Sequence, residues 1–462
     1  MCSNEGGIPV RVVLGVLVFF MFVLTQMMRT NLYLVIIEIT NVKNTTAAQN
    51  GSTSAEVAWT RPQTGMLMGS VFWCAWLTEL PGGVLATRLG GSRLLLASVL
   101  AAVLLNLATP LAVRLHFWAA LAVRLLQGLV LGVSWPCVNA LAARWIPVLE
   151  RSKFMASFNG TAVGGALNYA LSGVLIARLG WQSVFYLSGL LGALWCCAWA
   201  RLAHDSPDQH PRISRAERSY LQASVSPDQK KPRKIPWSGI LGSGPFWAVL
   251  VTSQAAVWVS VTLSMQVPAY LSSVHHLGVA ANGFIASLTE ISKFVTGVII
   301  SAAIDSSMEK KKLSITAARK LAVTISILLP GLALVVLGCC AHHPVLAVAI
   351  LVLASSASGA STSGNLANTV DISPNYAGIM IGLVKTVVVI PGSLAPLVAS
   401  ILVTDDDVVA GWNQLFCVTA ALSTAGCLVF VFLGSGEVQP WNDYQPKLET
   451  ATETEDLVQT KE

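Results

Sequence analysis

Two arginines, Arg29 and Arg124, stand in stretches otherwise fit for oil, "QMMRTNLYLVIIEIT" and "AALAVRLLQGLVLG". A guanidinium at the centre of an apolar helix costs about 2.5–3.5 kcal/mol on the insertion scale and cannot be neutralised, so it faces a cavity or a partner. By helical rise each lies roughly 12 Å from the same end of the helical bundle, which gives the two a common depth. Two cations at one depth repel unless an anion sits between them, and the planar fork suits a carboxylate or phosphate held by two hydrogen bonds. The chemistry expected of the pair is anion binding. The alternatives are a separate structural ion pair for each or, above all for Arg124, a side chain reaching toward the surface.

Other residues are candidates for the same path. Tyr33, one turn after Arg29, can stack on or bond the anion, or serve as an interfacial anchor. Lys385 in "GLVKTVVVIPG" adds a third positive group or extends toward water. Asn365, with Ser361 and Ser363 in "ASSASGASTSGNLANT", presents hydrogen-bonding groups to a cavity or belongs to a close small-residue helix contact. Glu38 and Glu79 are the candidate proton carriers: Glu38 as an outer gate or acceptor, or as a solvated rim carboxylate, and Glu79 as a buried carboxyl or a structural hydrogen-bond partner. Glu290 and Lys293, three apart on one helix face, have the spacing to neutralise each other. No group of residues has metal-ligand spacing, no GxxxxGK[ST] loop is present and no catalytic constellation appears. The expectation is therefore no metal, no cofactor, no nucleotide-driven pump and no enzyme.

The elements that hold these residues follow from composition. Of 462 residues 54% are hydrophobic and 11% charged, against roughly 25% charged in a soluble domain. Apolar runs of about 20 residues, enough to cross a hydrocarbon core, recur along the whole chain. The predicted spans are 10–37, 62–87, 92–112, 116–143, 154–178, 182–202, 244–270, 282–304, 319–340, 344–368, 377–403 and 411–434, an all-α polytopic membrane protein of twelve transmembrane helices. The first is too long for a signal-peptide core and is read as retained. Nine cysteines, an odd number lying mostly inside spans, read as small apolar packers. Pro268, Pro391 and Pro396 are expected to kink their helices.

Most of the 29 basic residues fall in the segments on the side of the chain termini, which by the positive-inside rule places both termini in the cytosol. The first outer loop, 38–61, carries glycosylation sequons at Asn44 and Asn50, on the side where glycans are added. The net charge of +6 belongs to that asymmetry and gives no argument for nucleic acid. Composition turns polar over 203–243, a cytosolic linker between a six-helix half at 1–202 and a second at 244–434, followed by a cytosolic tail at 435–462. "GWQSVFYLSG" after the fifth span is echoed by "GWNQLFCVTA" after the eleventh, so the chain reads as two six-helix repeats.

That pattern is similar to the major facilitator architecture, whose binding site lies near the midplane between the halves. "GGVLATRLGGSR" resembles the superfamily's glycine-rich signature, except that Thr87 stands where an acid is usual, a change expected to weaken the interlocking of helix ends; Asp305 keeps the acid in the second half. Seven blocks in order, "GMLMGSVFWCAWLTELPGG", "RLLQGLVLGVSWP", "PVLERSKF", "GWQSVFYLSG", "VDISPNYAGIMIGL", "VIPGSLAPLV" and "GSGEVQPW", resemble the anion/phosphate cotransporter family that contains sialin and the vesicular glutamate transporters. The resemblance implies secondary active transport of a small organic anion (an acidic amino acid, acidic sugar or similar carboxylate) or phosphate, driven by protons, sodium or membrane potential. Arg29 and Arg124 match the family's arginines of the first and fourth spans, and Glu38 matches an acidic position. Gln127 and Leu131 replace acids, Asn139 and Ser253 replace histidines, and Glu79 and Lys385 stand where neutral amides are common. Groups tied to proton coupling are thus absent, and the driving ion, H+ or Na+, stays open. The competing reading is a transporter-like scaffold or sensor that has lost coupled transport. Plasma membrane and lysosomal or synaptic-type vesicle membrane both fit the sequence.

Overall fold

The computed structural model describes residues 9–46, 59–147, 150, 154–224, 235–339, 343–404 and 407–443. Asn50, the side chain of Asn44 and the tail beyond Asp443 lie outside the described residues. All regular structure among the described residues is helical, and eleven helical stretches are long and apolar enough to cross a membrane. The remaining predicted span, the second, is present as two helices, Arg61–Trp73 and Ala75–Leu89, which meet at Cys74. Twelve spans result. The first runs on to Thr46 rather than ending at 37, because "EITNVKNTT" contains no glycine or proline to stop it.

Prolines shape several spans by removing the amide hydrogen that would bond the carbonyl four residues earlier. The fourth span is two helices, Phe117–Gly132 and Ser134–Trp145, broken at Val133 just ahead of Pro136. The eleventh breaks at Val388, between Ala377–Val387 and Val389–Leu402, ahead of Pro391, whereas Pro396 sits inside the second piece without a break. In the seventh, Gly244–Val261 leads into a π-helical turn, Thr262–Gln266, and then into Val267–His275, which carries Pro268. A second π turn, Thr324–Leu328, precedes Pro330 in the ninth span.

The start of the first span and the segment after the sixth span meet on one face. Glu217 of that segment accepts hydrogen bonds from the amides of Val10 and Arg11, the start of the first span, at 3.0 and 3.2 Å. Arg11 also pairs with Glu150 at 2.8 Å. The Thr87 hydroxyl is exposed and bonds only its own helix, but its carbonyl accepts from Arg144 Nη2 of the fourth span at 3.5 Å, and other groups add to the interlock. Asp205, past the sixth span, accepts from the Ser92 amide at 2.7 Å and occupies the space where a Cβ on Gly90 would lie, which is why this residue, at φ +93°, is glycine.

On the opposite face the first six spans close against the last six. An added Cβ on Gly69 of the second span would sit 2.9 Å from the Ser393 carbonyl oxygen of the eleventh. Arg61 donates to the Val403 carbonyl at 2.8 Å. Toward the first of these faces one side of the eleventh span is open, since a Cβ on Gly378 or Gly382 would meet nothing within 4 Å, whereas Met380 and Val384 on its other side are buried. The two sets of spans thus approach backbone to backbone toward one face, the shut face, and leave an open side of the eleventh span toward the other, the parted face.

Candidate functional site

The first and fourth spans bring Arg29 and Arg124 together. Arg124 is wholly buried, and its Nη1 donates to the Met28 carbonyl at 3.1 Å and to Gln127 Oε1 at 2.8 Å, while its Nη2 donates to the Arg29 carbonyl at 2.9 Å. Arg29, in turn, reaches the Leu131 carbonyl through Nη2 at 3.5 Å. Neither guanidinium forms an ion pair among the described residues, and the Nε of each is buried without a hydrogen-bond partner. Backbone dipoles and one amide therefore solvate two adjacent cations, and a donor on each remains unused. Tyr33, also buried, lies within electrostatic reach of both.

Beside this wall lies a cavity of about 520 Å³ between the two sets of spans. Gln26 and Thr30 of the first span, Tyr169 of the fifth, Gly160–Leu179, and Glu290 and Lys293 of the eighth, Val279–Glu309, line it. From that depth it extends along Asn159, Ser301 and Thr362 toward the parted face. Arg29, Arg124 and Tyr33 stand behind the lining and are not part of it.

Glu290 and Lys293 do not neutralise each other, contrary to the expectation from their spacing. Each bonds a serine of the seventh span instead: Ser264 Oγ donates to Glu290 Oε1 at 2.6 Å, and Lys293 Nζ donates to Ser260 Oγ at 2.8 Å. Two rungs between antiparallel helices replace one bond along a single helix. Tyr169 Oη donates across the cavity wall to the Ser264 carbonyl, which Pro268 deprives of its helical partner.

The other predicted residues divide. Lys385, from the eleventh span, stands over the Trp135 ring of the fourth at 4.5 Å, and Trp135 packs on Phe22 and Phe158. Arg29, Glu79 and Lys385 lie within electrostatic reach of one another, and Glu79 Oε2 is buried without a hydrogen-bond partner among the described residues. Asn365 is buried and donates to Ser253 at 3.1 Å, outside the cavity lining. Glu38 is half-buried toward the closed face, far along the first span from Arg29. Tyr169, Ser260 and Ser264 carry no charge and follow no motif. The one signal for them in the sequence is that Ser264 lies four residues before Pro268.

Comparison with known proteins gives the family. The sequence profile of the Major Facilitator Superfamily matches residues 18–396. Human sialin (Homo sapiens) is 32% identical over 451 residues, which cover 93% of this chain and 91% of sialin. The chain belongs to the major facilitator superfamily. Within it the relatives are those of the anion/phosphate cotransporter family: vesicular glutamate transporter 2 of Homo sapiens is 31% identical over 446 residues, 95% of this chain and 76% of that protein. Superfamily members also share the fold at low identity. The inward-facing, occupied form of a bacterial homolog of the human lysosomal transporter Spinster superposes with a TM-score of 0.70 at 15% identity, covering 93% of this chain and 97% of that one. A D-xylose–proton symporter gives 0.71 at 12% identity, covering 92% and 99%. This is a transporter family and not an enzyme family. Among the residues described above, the bundle interior holds four cations, Arg29, Arg124, Lys293 and Lys385, against two carboxylates, Glu79 and Glu290, and of these Lys293 and Glu290 line the cavity.

Proposed function

We propose that the chain is a secondary active transporter of a small organic anion that carries a carboxylate, working by alternating access. The observation that carries this reading is the meeting of Arg29 and Arg124 in the bundle interior, neither in an ion pair among the described residues and each with a buried Nε donor unused. An anion between the forks would complete both sets of hydrogen bonds and remove the repulsion. The excess of cations over carboxylates in the bundle interior favours an anionic passenger, and the resemblance to sialin and vesicular glutamate transporters supports an acidic sugar or acidic amino acid over phosphate. In this reading Lys385 and Tyr33 belong to the anion path, 1–202 and 244–434 are the moving halves joined by the 203–243 linker, and both termini are cytosolic. The cavity then opens to the cytosol, and a small displacement of the first span brings the arginines into contact with its contents.

The test is uptake into liposomes of a panel of labelled anions with proton, sodium, chloride and potential gradients imposed separately. Arg29→Ala and Arg124→Ala should each lower uptake of every accepted anion by roughly 100-fold, the loss expected for one buried charge-assisted pairing, while the purified variants keep the wild-type elution profile. Near-normal flux in both would remove the site assignment. An intact wild-type chain that moves no anion under any gradient would favour the scaffold or sensor reading instead.

A further inference from the structure

A second cavity of about 520 Å³ lies on the seam of the shut face. Both sets of six spans wall it: Thr40 of the first span, Trp59 and Arg61 at the start of the second, Gln266 of the seventh, Ser400 of the eleventh and Trp412 of the twelfth, Val408–Leu433. The seam is tight. A Cβ on Gly65, also in the lining, would stand 2.8 Å from the Pro396 carbonyl oxygen, and Arg61 bonds the Val403 carbonyl across the seam at 2.8 Å. The cavity is therefore whole only while this face is shut. When the sets part, Gln266 and Trp412 leave with one of them, and Arg61 and Trp59 with the other.

Size, sign and unspent hydrogen bonding define what fits there. The volume lies in the range of small-molecule sites, about 300–1,000 Å³. The lining carries the Arg61 guanidinium and, among the described residues, no carboxylate. Several of its hydroxyls are spent as donors on their own helices: Thr40 on the Ile36 carbonyl at 2.7 Å, Ser273 on the Tyr270 carbonyl at 3.4 Å and Ser400 on the Leu397 carbonyl at 2.7 Å. Gln266 closes the π turn of the seventh span, is only 5% exposed, and keeps a buried Nε2 with no hydrogen-bond partner among the described residues. Such a donor carries a desolvation cost that an acceptor oxygen on a ligand would remove. The indoles of Trp59 and Trp412, with Ile36, Ile37 and Met68, make the rest of the wall flat and apolar. A molecule that matches has acceptor oxygens at one end, a negative charge and an apolar ring.

We infer that this cavity is a regulatory site for a small aromatic carboxylate, separate from the anion path, and that it binds only the chain shut at this face. Arg61 and Gln266 take the carboxylate, since a guanidinium fork and an amide donor both match its oxygens. The ring rests on the apolar wall. Inorganic phosphate has no apolar part and would leave that wall bare. A ligand that binds one of two conformations draws the population toward it, so occupancy holds this face closed and slows the cycle without competing at Arg29 and Arg124. The inference takes alternating access from the reading above, but no property of the arginine pair.

The experiment uses the purified full-length chain with benzoate as probe, and with benzamide and acetate as controls for charge and ring. In detergent, benzoate should raise the thermal-unfolding midpoint with concentration, as any ligand of the folded state does, and each control should do so far less. Arg61→Gln and Gln266→Leu should each raise the half-effective benzoate concentration at least about tenfold. Arg61→Lys should keep a weakened response, which guards against a misfolded variant, and Arg29→Ala should keep the full one. Gly69→Val, which crowds the seam, should weaken it too. No shift with benzoate, an equal shift with benzamide, a response unchanged in both cavity variants, or one lost in Arg29→Ala overturns the assignment. In liposomes, benzoate should lower the maximal rate of labelled glutamate or sialic acid uptake without raising the half-saturation concentration; purely competitive inhibition would place it at the arginines and overturn the regulatory role. Absence of any uptake by wild type would sink the anion-transport reading alone, because the detergent measurement decides binding by itself.

Discussion

Gln127 shows what one oxygen decides. Its amide accepts from Arg124 at 2.8 Å and leaves that guanidinium fully charged, where an acid would neutralise it. Gln127→Glu should therefore build an internal ion pair that competes with any anionic passenger, because a charge-assisted bond to a carboxylate is about twice as strong as one to an amide. The half-saturation concentration for an accepted anion should rise at least about tenfold, a shift of roughly 1.4 kcal/mol, with the protein still at the membrane; an unchanged value would mean that Arg124 serves only to pin the fourth span to the Met28 and Arg29 carbonyls. The two arginines were legible in the sequence because a fixed charge in an apolar run has few explanations. Glu290 and Lys293 were misread because spacing along one helix says nothing about serines on the next. Asn365 was singled out for its polar neighbourhood, and its bond to Ser253 depends on a neighbouring helix in the same way.

Elements carry the next level of control, and proline is the device they use. Pro268 frees the Ser264 carbonyl, and the seventh span winds into a π turn at that point, as helices do at functional kinks. A freed carbonyl inside a bilayer needs a donor, and Tyr169 brings one from the fifth span. Tyr169→Phe should then leave the carbonyl unsatisfied and lower stability by about 1–3 kcal/mol. Pro268→Ala restores a local amide for the same carbonyl, so the double variant should recover much of that loss. A thermal-unfolding cycle in detergent measures this coupling, and strictly additive effects would show that the two residues do not share the carbonyl. Proline positions made the kinks at Pro268 and Pro391 readable. The break at Cys74 and the unbroken helix through Pro396 were not, since residue type alone marks neither. Nor was Tyr169 readable as the donor, 95 residues away from its acceptor.

At the scale of the whole molecule, a bundle shut at one face and parted at the other is half of an alternating cycle, and the shut face depends on backbone-to-backbone approach. The number of spans and the repeat were plain from apolar runs and the recurring "GW" blocks. Which face closes was not, because closure comes from small residues whose partners lie in the other set of six. Gly69 is the clearest case: any side chain there meets the Ser393 carbonyl at 2.9 Å, and backbone cannot swing aside as a side chain can. Gly69→Val should thus disfavour the closed arrangement and shift the population toward one open at the far face. The reporter is Ser272→Cys, which lines a separate cavity of about 520 Å³ at that face with Gln266 and Trp412, in a chain cleared of its other reactive thiols. A membrane-impermeant maleimide applied from the far side should label it at least about tenfold faster in the Gly69→Val background, since a shift of roughly 1.4 kcal/mol in a two-state equilibrium changes the open population by that factor. Net uptake should fall in parallel, because a transporter held open on one side cannot complete its cycle. Equal labelling rates in the two backgrounds would mean that the contact between the second and eleventh spans is not the closure, and that Arg61 and its bond to the Val403 carbonyl, or the fifth and eighth spans, hold the face shut instead.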